Sequence, residues 1–456
     1  MTSGPSERGE DVGQQLPLMV TAPPGPKSRE VAERIAQVEC PAFEARRESR
    51  AVASGHEQGA IVYARGRGSN VTDVDGNRYV DLTAGFGALA FGYNDVDLSA
   101  AVFAQSHKLS MALGDVYAAD CKALLLEALA ALYPESGARV LLGTSGADAV
   151  TAALKTAVLA TGKAGVVAFN GSYHGLSHGP LAACGLSRKF RDPFIGQLNQ
   201  YVKFIDYPGG ELTPSIEALR AALGAGDVGA VLIEPMLGRG GCAALAPGFW
   251  AAAREACDEV GALLIADEVW TGMARSGWML MSASMGATPD IVCLGKALGG
   301  GWPISATVGR KEVMEAWAKH GGSAIHTSTH AGHPSGVAAA LEVIRKLSQQ
   351  DWPALNRQLG ERWMGVLRRE VADDVLDIVG SGLMVGVRLK GGSTEALRVS
   401  RKLLHDGYIV LTGGVAGDVL TFTPAFNIAE PLLESAARAL GRIVRNHAAP
   451  RGISGP

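Results

Sequence analysis

The chain has 456 residues, of which 47% are hydrophobic and 19% are charged, and its formal net charge is −3. A chain of this length can bury a large core, and it is expected to divide into one large and one or two smaller domains. The small net charge provides no strong field for a phosphate backbone or an anionic bilayer, so we expect neither nucleic acid nor membrane as a partner.

The cysteines and the apolar runs indicate the compartment. Six cysteines are scattered along the chain without a CxxC pair, namely Cys40, Cys121, Cys184, Cys242, Cys257 and Cys293. This usage is typical of a reduced protein rather than a disulfide framework or a zinc knuckle, and we expect all six to be small core residues. No apolar run approaches the roughly 18 residues that span a bilayer, and the N-terminus lacks a signal-peptide pattern. We therefore expect a cytoplasmic protein.

The N-terminal part of the chain predicts a tail followed by a small mixed element. Residues 1–27 are rich in Gly, Pro, Ser and charge, so they are expected to form a disordered tail. A helix is predicted to begin near Ser28, and from Ile61 apolar and polar residues alternate around a tight turn at Asp75 and Gly76. Residues 28–89 are thus predicted to hold a helix and a small antiparallel β element.

Residues 90–349 have the pattern of a large α/β domain. Short apolar runs alternate with longer Ala/Leu-rich stretches, as in βα units around a parallel sheet. Strands are predicted at Arg139–Leu142, Gly165–Phe169, Ala230–Ile233, Ala262–Ala266, Ile291–Leu294 and Ile304–Val308. Helices are predicted near Ala147–Thr161, Ser215–Leu223, Gly248–Val260, Lys311–Ala318 and Ser335–Leu347. Residues 350–449 return to mixed helix and strand, which predicts a C-terminal α+β domain, and 450–456 form a short tail.

The first predicted strand of this domain leads into a helix with small residues at its start. The stretch "GTSGADAV" places Thr144, Ser145 and Gly146 there. Small residues allow the backbone to approach a ligand, and the free N–H groups of a helix start favour an anion, typically phosphate. Ser145 on its own also suits a simple helix cap.

Reactive side chains follow the next four strands. Tyr173 and His174 come after Gly165–Phe169 in "NGSYHG", and Glu234 follows the third strand. The apolar run in "ALLIADEVWTG" ends in Asp267, and Lys296 follows Ile291–Leu294, where an ammonium must lose hydration unless it is paired or covalently engaged. Each has an ordinary structural explanation alone. Together with the helix start they suit pyridoxal phosphate, because a lysine, a ring-nitrogen acid, a covering aromatic residue and a phosphate site lie on one rim.

The chain resembles the class III (ω- or 4-aminobutyrate-type) aminotransferases of fold type I over roughly residues 30–445. The resemblance is carried by the stretches "VTDVDGNRYVDLTAGFGALAFGY", "GTSGADAVTAALKTA", "GSYHG", "LIEPMLGRGG", "LLIADEVWTGMARSG", "DIVCLGKALGGGWPISA" and "THAGHPSG". It implies an α/β fold in which helices flank a mostly parallel central sheet, with a smaller α+β domain from the N- and C-terminal segments.

The resemblance also implies roles around the ring of pyridoxal 5'-phosphate. Lys296 would be the Schiff-base lysine and would move the proton between substrate and cofactor. Asp267 would bind the pyridinium nitrogen, Tyr173 would stack on one ring face and Val269 would pack on the other. His174, next to Tyr173, is also expected to bind the cofactor.

The cofactor phosphate would lie at Ser145, Gly146 and Ala147, and Thr329 of a partner subunit would complete that site. A homodimer with its active sites at the interface therefore follows from the resemblance. No metal is expected, because the histidine-rich loop of His326, His330 and His333 has no accompanying carboxylate. That loop is expected instead to present Thr329.

Three positions depart from the family pattern and bear on the substrate. Trp270 stands where many members have Gln, so an indole either walls the pocket or replaces an amide hydrogen bond. Thr421 stands where members acting with 2-oxoglutarate have a carboxylate-binding arginine, which leaves Glu234 without its usual partner. Arg239 is a candidate replacement cation, with a solvated loop arginine as the alternative. Glu268, beside Asp267, is expected to be structural.

The leading hypothesis is a ping-pong aminotransferase that moves an amino group from an amine or amino acid to a keto or aldehyde acceptor through Lys296. A racemase or epimerase of the same family is the alternative, because the acceptor-binding arginine is missing. A dinucleotide-binding oxidoreductase is disfavoured, because no GxGxxG follows the first strand. A non-catalytic regulator that binds the cofactor remains open, although no DNA-binding segment is visible.

Overall fold

In the computed structural model, the described residues are 12–320, 322, 324–371 and 375–448, and their fifteen strands fall into three sheets. In chain order, the strands are β1 Tyr63–Arg67, β2 Asn70–Asp73, β3 Arg78–Asp81, β4 Arg139–Gly143, β5 Gly165–Phe169, β6 Val202–Ile205, β7 Val228–Ile233, β8 Leu263–Asp267, β9 Ile291–Leu294, β10 Ser305–Gly309, β11 Val375–Ser381, β12 Met384–Leu389, β13 Tyr408–Ile409, β14 Leu411–Gly413 and β15 Val419–Phe422.

Helices connect and cover these strands. The longer α-helices are Pro26–Ala36, Ala42–Ser54, Val96–Lys108, Asp120–Leu132, Gly146–Thr161, Leu212–Leu223, Phe249–Val260, Pro334–Ser348, Trp352–Val371, Gly392–His405 and Glu430–Ala448. Short α-helical segments are His178–Ala182, Arg188–Arg191 and Lys311–Met314, and 3₁₀ segments are Asp192–Gln197, Ser282–Ser284, Lys296–Gly299 and Glu315–His320. None of the helices in the described ranges is both long and apolar enough to cross a membrane.

The central sheet has seven strands in the order β4-β10-β9-β8-β7-β5-β6. All run in one direction except β10, which is antiparallel to both of its neighbours. This confirms the predicted α/β fold with a mostly parallel sheet. The expectation that Ile304–Val308 continues the parallel βα series is wrong, because that run is the antiparallel strand β10. The edge strand β6 was not predicted, since its half-buried residues form only a short mixed run.

The core is divided between the two faces of this sheet. Alternate residues of a strand point to opposite faces, and on one face Val166, Ala168, Leu232 and Ile265 pack with residues of the helix Gly146–Thr161. On the other face the intervening residues join the larger core, which continues into the C-terminal helices and strands. Strands buried on both faces explain the uninterrupted apolar runs of the sequence.

A smaller sheet joins the two ends of the chain. Its order is β1-β2-β3-β13, and β13 from the C-terminal segment runs parallel to β3. A further sheet, β11-β12-β15-β14, lies in the C-terminal segment. The expected α+β domain built from both ends of the chain is therefore present, while the boundaries at residues 89/90 and 349/350 stay predictions.

Two expectations about the N-terminal segment need correction. Leu18 exchanges two backbone hydrogen bonds with Arg78, at 2.9 and 2.8 Å, and the Asn77 side chain accepts hydrogen bonds from the N–H groups of Val20 and Thr21. Residues 12–27 are thus part of the fold rather than a tail, while residues 1–11 and 450–456 lie outside the described residues. Cys40 is exposed, so only the other five cysteines are the predicted core residues.

Candidate active site

The strand ends meet around one cavity at the rim of the central sheet. Its volume is about 260 Å³, and it is lined by Gly146, Ala147, Tyr173, His174, Gly175, Leu176, Glu234, Asp267, Val269, Trp270 and Lys296. Parallel strands deliver their C-terminal ends to the same edge, so residues far apart in sequence share this cavity. We refer to it below as the rim cavity.

Asp267 is the last residue of β8 and is held by two neighbours. Its side chain is 4% exposed, its Oδ2 lies 2.7 Å from Nδ1 of His174, and its Oδ1 accepts a hydrogen bond from the N–H of Val269 at 3.1 Å. His174 is 3% exposed, and its Nε2 has no hydrogen-bond partner among the described residues. The imidazole therefore fixes the orientation of a buried carboxylate.

Lys296 enters the rim cavity from the turn after β9. Its φ of 42° lies in the left-handed region, which is uncommon for a residue other than glycine and frequent at functional sites. Burial lowers the pKa of its ammonium to about 8, although Asp267 and Glu234 act in the opposite direction. Its Nζ lies 4.3 Å from the centroid of the Trp270 ring. An amine with this pKa is a usable nucleophile near neutral pH.

Trp270 borders both the rim cavity and a second cavity. It is 8% exposed. A Cβ atom on Gly87 would lie 2.5 Å from the indole Nε1, and one on Gly238 would lie 2.4 Å from Cε3. The indole therefore fits because glycines stand at two of its edges. Its Nε1 has no hydrogen-bond partner among the described residues.

The turn that contacts Trp270 has an unusual backbone. Four successive residues, Ala84, Gly85, Phe86 and Gly87, have positive φ values between 44° and 79°. This left-handed turn was not predicted, and its only sequence signal is the pair of glycines in "AGFG". It carries Phe86 to the lining of the second cavity.

Glu234 is a buried acid that contacts backbone rather than an arginine. Its two carboxylate oxygens accept hydrogen bonds from the N–H groups of Tyr173 and Gly238, both at 2.8 Å. Burial raises its pKa to about 7. Among the described residues it has no ion pair, as expected from the missing arginine at Thr421. Glu234 therefore positions the loop that carries Tyr173.

The start of the helix Gly146–Thr161 forms one end of the rim cavity. Ser145 caps this helix, because its Oγ accepts a hydrogen bond from the N–H of Asp148 at 3.2 Å. A Cβ atom on Gly146 would lie 2.6 Å from Cγ1 of Val269. Gly146 and Ala147 line the cavity, whereas Ser145 is exposed and serves the cap that the sequence also allowed.

Glu268 points away from this chemistry. It is 1% exposed and accepts hydrogen bonds from the backbone N–H groups of Met281 and Ser282 and from the hydroxyl groups of Thr271 and Ser282. Four donors satisfy both of its oxygens, so Glu268 is structural, as expected.

The second cavity holds Arg239 and arginines that were not predicted. Its volume is about 250 Å³, and it is lined by Phe43, Arg46, Arg47, Arg50, Phe86, Arg239, Trp270, Leu411, Thr412, Gly413 and Thr421. The guanidinium of Arg239 lies 4.5 Å from the centroid of the Tyr173 ring. The missed signal is the run "ARRESR", which places three arginines on the helix Ala42–Ser54.

Thr329 is exposed and does not line the rim cavity of its own chain. In the same loop, the rings of His330 and His333 are 6.0 Å apart. Within the described residues, no three His, Cys, Asp or Glu side chains lie together as a metal site would require.

Comparisons with known proteins agree with this geometry. The sequence model of the family described as "Aminotransferase class-III" matches residues 51–444. The acetylornithine aminotransferase of Methanosarcina acetivorans is 33% identical over 344 residues, which is 75% of this chain and 83% of the relative. A solved amine transaminase from an uncultivated Pseudomonas species, in its PLP-bound form, has a TM-score of 0.78 and 28% identity, and the match covers 85% of this chain and 95% of that one.

A second solved structure is also similar to this chain. The ornithine aminotransferase of Toxoplasma gondii has a TM-score of 0.80 and 27% identity, and the match covers 92% of this chain and 95% of that one. All three relatives are named as aminotransferases, so nothing favours the racemase alternative.

The residues of the rim cavity fit pyridoxal 5'-phosphate. The cavity presents an amine of lowered pKa, a buried carboxylate, an aromatic ring and a helix N-terminus. This helix begins with Gly146, where any larger residue would clash with Val269. The amine, carboxylate, ring and helix N-terminus are the groups that an aldehyde, a pyridine nitrogen, a flat ring and a phosphate require. The chain belongs to the class III aminotransferase family, and it is a transaminase that depends on pyridoxal 5'-phosphate.

Proposed function

We propose that Lys296, Asp267 and Tyr173 carry the transamination in the rim cavity. When bound, the cofactor supplies an aldehyde that takes up the amino group and a ring that withdraws electrons. The observation that carries the proposal is the convergence of the Lys296 amine and the Asp267 carboxylate on one cavity of about 260 Å³.

Each side chain has a role that follows from its contacts. Asp267, oriented by His174, would hold a positive charge on the ring nitrogen. Lys296 would hold the cofactor through its aldehyde and, once the substrate amino group has replaced it there, would move the proton at the substrate carbon as a free amine. Its lowered pKa leaves part of this amine neutral near neutral pH. Tyr173 and Val269 would pack against the two faces of the ring.

The phosphate would bind at the N-terminus of the helix Gly146–Thr161. The first N–H groups of a helix have no partner within it and favour an anion. Gly146 and Ala147 line the cavity at this point, and Ser145 supports them as the cap. The exposed Thr329 would complete the site in a second copy of the chain.

A homodimer is supported by exposed large apolar side chains, of which Leu176 lines the rim cavity and Phe86 the second cavity. Large apolar side chains are exposed at Phe86, Phe103, Leu113, Val116, Tyr117, Leu124, Leu176 and Trp302. Exposed apolar side chains occur in protein interfaces, and symmetric dimers are the commonest assemblies.

The substrates would be an amine or amino acid and a keto or aldehyde acceptor, used in turn by a ping-pong mechanism. The named relatives act on acetylornithine, ornithine and amines, which supports a small amino compound. Trp270 would form one wall of the substrate site, and Arg239 would bind a substrate carboxylate. We further propose that the enzyme works in the cytoplasm, which its six free cysteines support.

A donor screen tests this function. Amines are added to the holoenzyme, and the visible absorption band of the bound cofactor is followed with and without pyruvate or 2-oxoglutarate. We expect a donor to bleach the band and the matching keto acid to restore it, and we expect Lys296→Ala to lack the band. A protein that stays colourless with added pyridoxal 5'-phosphate would refute these roles. Loss of optical activity in a chiral donor without bleaching would indicate racemisation instead.

A further inference from the structure

The second cavity is strongly basic and lies across Trp270 from Lys296. Four arginines line it, three from the helix Ala42–Ser54 and one, Arg239, from the loop after β7. In the described part of the chain, no Asp or Glu lines this cavity. A group bound here therefore meets several positive charges and no acidic side chain in the lining.

Three of these arginines are available to a ligand and one is not. Arg47 donates two hydrogen bonds to the Glu44 carboxylate, at 2.9 and 2.6 Å, so its charge is already paired. Arg46 and Arg239 have no carboxylate partner among the described residues, and Arg50 donates only to the Thr412 hydroxyl, at 3.3 Å. Burial lowers the pKa of Arg50, and the charges of Arg46 and Arg239 lower it further. The guanidinium groups of Arg46 and Arg239 thus repel that of Arg50.

A buried hydroxyl adds to this unsatisfied polar surface. Oγ1 of Thr421 is buried without a hydrogen-bond partner among the described residues, and Thr421 lines the same cavity. A Cβ atom on Gly413 would lie 2.6 Å from this Oγ1, so the glycine lets the backbone of β14 approach it closely. Buried polar groups are normally satisfied, and an anion that accepts hydrogen bonds would satisfy this one together with the arginines.

We propose that Arg46, Arg50 and Arg239 bind the distal end of the substrate, and that this end is a dianion, either a phosphate-type group or a pair of carboxylates. Guanidinium groups match both kinds of oxyanion geometrically. The inference rests on the proposed function, because only then does the amino group lie at Lys296 while the distal end lies beyond Trp270. Position 421 is a threonine where the family resemblance implies an arginine. The three arginines supply positive charge there from other parts of the chain.

Three amines that differ mainly in their end group test this inference. The holoenzyme is mixed with 3-aminopropylphosphonate, 4-aminobutyrate or butylamine, and kcat/KM for bleaching of the cofactor band is measured. We expect the phosphonate to exceed the carboxylate, and the carboxylate to exceed the neutral amine, by about tenfold or more at each step. Equal kcat/KM values for the phosphonate and butylamine would overturn the proposal.

Matched arginine variants locate the effect. Arg46→Gln, Arg50→Gln and Arg239→Gln are each expected to lower the ratio of phosphonate to butylamine kcat/KM by about tenfold or more. Arg47→Gln is the control, because it lies in the same helix and cavity but is paired with Glu44. Equal losses in Arg47→Gln and in the other three variants would contradict the assignment.

A binding measurement separates this inference from the proposed function. Inorganic phosphate and malonate are titrated into the holoenzyme by calorimetry, so that the cofactor phosphate site is already filled. We expect at least one of the two to bind to the wild type and to lose at least tenfold in affinity in Arg46→Gln and Arg239→Gln, and the tighter ligand shows which dianion the site prefers. If no amine bleaches the band but this binding is observed, the proposed roles fail while the anion site stands. If bleaching occurs but neither anion binds, the anion site fails.

Discussion

The two adjacent carboxylates at the end of β8 are predicted to differ in function, and one pair of substitutions tests the difference. In Asp267→Asn the shape is kept and the charge is lost. The carboxylate is buried beside His174 and faces the rim cavity, where the ring nitrogen of the cofactor would lie. Two unit charges about 4 Å apart interact by about 4 kcal/mol at an effective dielectric constant of about 20. Because about 1.4 kcal/mol corresponds to a factor of ten, we expect the rate of single-turnover bleaching to fall by about 1000-fold.

Glu268→Gln provides the matched control. Glu268 is as deeply buried as Asp267, but its oxygens accept four hydrogen bonds from groups outside the rim cavity. Replacing one oxygen by an NH₂ group places a donor against a backbone N–H, which should lower the free energy of unfolding by about 1–3 kcal/mol. The rate per folded enzyme should change by less than about tenfold, since less than about 1.4 kcal/mol of transition-state stabilisation is then lost.

The assay is single-turnover bleaching of the cofactor band by an amino donor, with chemical unfolding measured in parallel. The Asp267→Asn holoenzyme should stay folded and react slowly, and the Glu268→Gln holoenzyme should unfold earlier and react normally. A rate within tenfold of wild type in Asp267→Asn, or a comparable loss of rate in both variants, would refute the reasoning.

Three further predictions concern the cofactor site and its support. Burial lowers the pKa of Lys296 to about 8, so capture of pyridoxal 5'-phosphate by the apoenzyme, followed by stopped-flow absorbance, should slow about tenfold per pH unit below 8 and level off above it. A flat profile between pH 6 and 8 would contradict this. Arg275 is fully buried and donates to three backbone carbonyls, so Arg275→Met should lower the free energy of unfolding in a urea titration by about 3 kcal/mol or more; a change under about 1 kcal/mol would show that these contacts contribute little. Gly146→Ala should weaken cofactor binding at equilibrium by about tenfold or more, because its Cβ would lie 2.6 Å from Val269. The control Gly196→Ala, which meets open space, should bind the cofactor normally.

The strand-end residues that meet at the rim cavity were predictable because burial leaves a clear mark on sequence. β7, β8 and β9 are apolar on both faces, so an acid or a lysine directly after them stands out. Strand direction leaves no such mark, and the buried run of β10 has the same pattern for either direction. The segment before Pro26 was misjudged for a related reason: backbone hydrogen bonds and the Asn77 amide hold it in place, and neither depends on the apolar content of the segment.

The substrate side of the site was less accessible from sequence, because its charge comes from a helix far along the chain from Thr421. Arg46, Arg47 and Arg50 lie on one face of the helix Ala42–Ser54 and line one cavity, but Arg47 is paired with its own neighbour Glu44. The same short run thus separates paired from unpaired arginines, and only the structure shows which face meets the cavity. The proposed substrate site therefore has positive charge although residue 421 is a threonine rather than an arginine. This charge comes from three arginines around one cavity instead of one arginine on a strand. Three cations favour a more highly charged ligand than a single carboxylate.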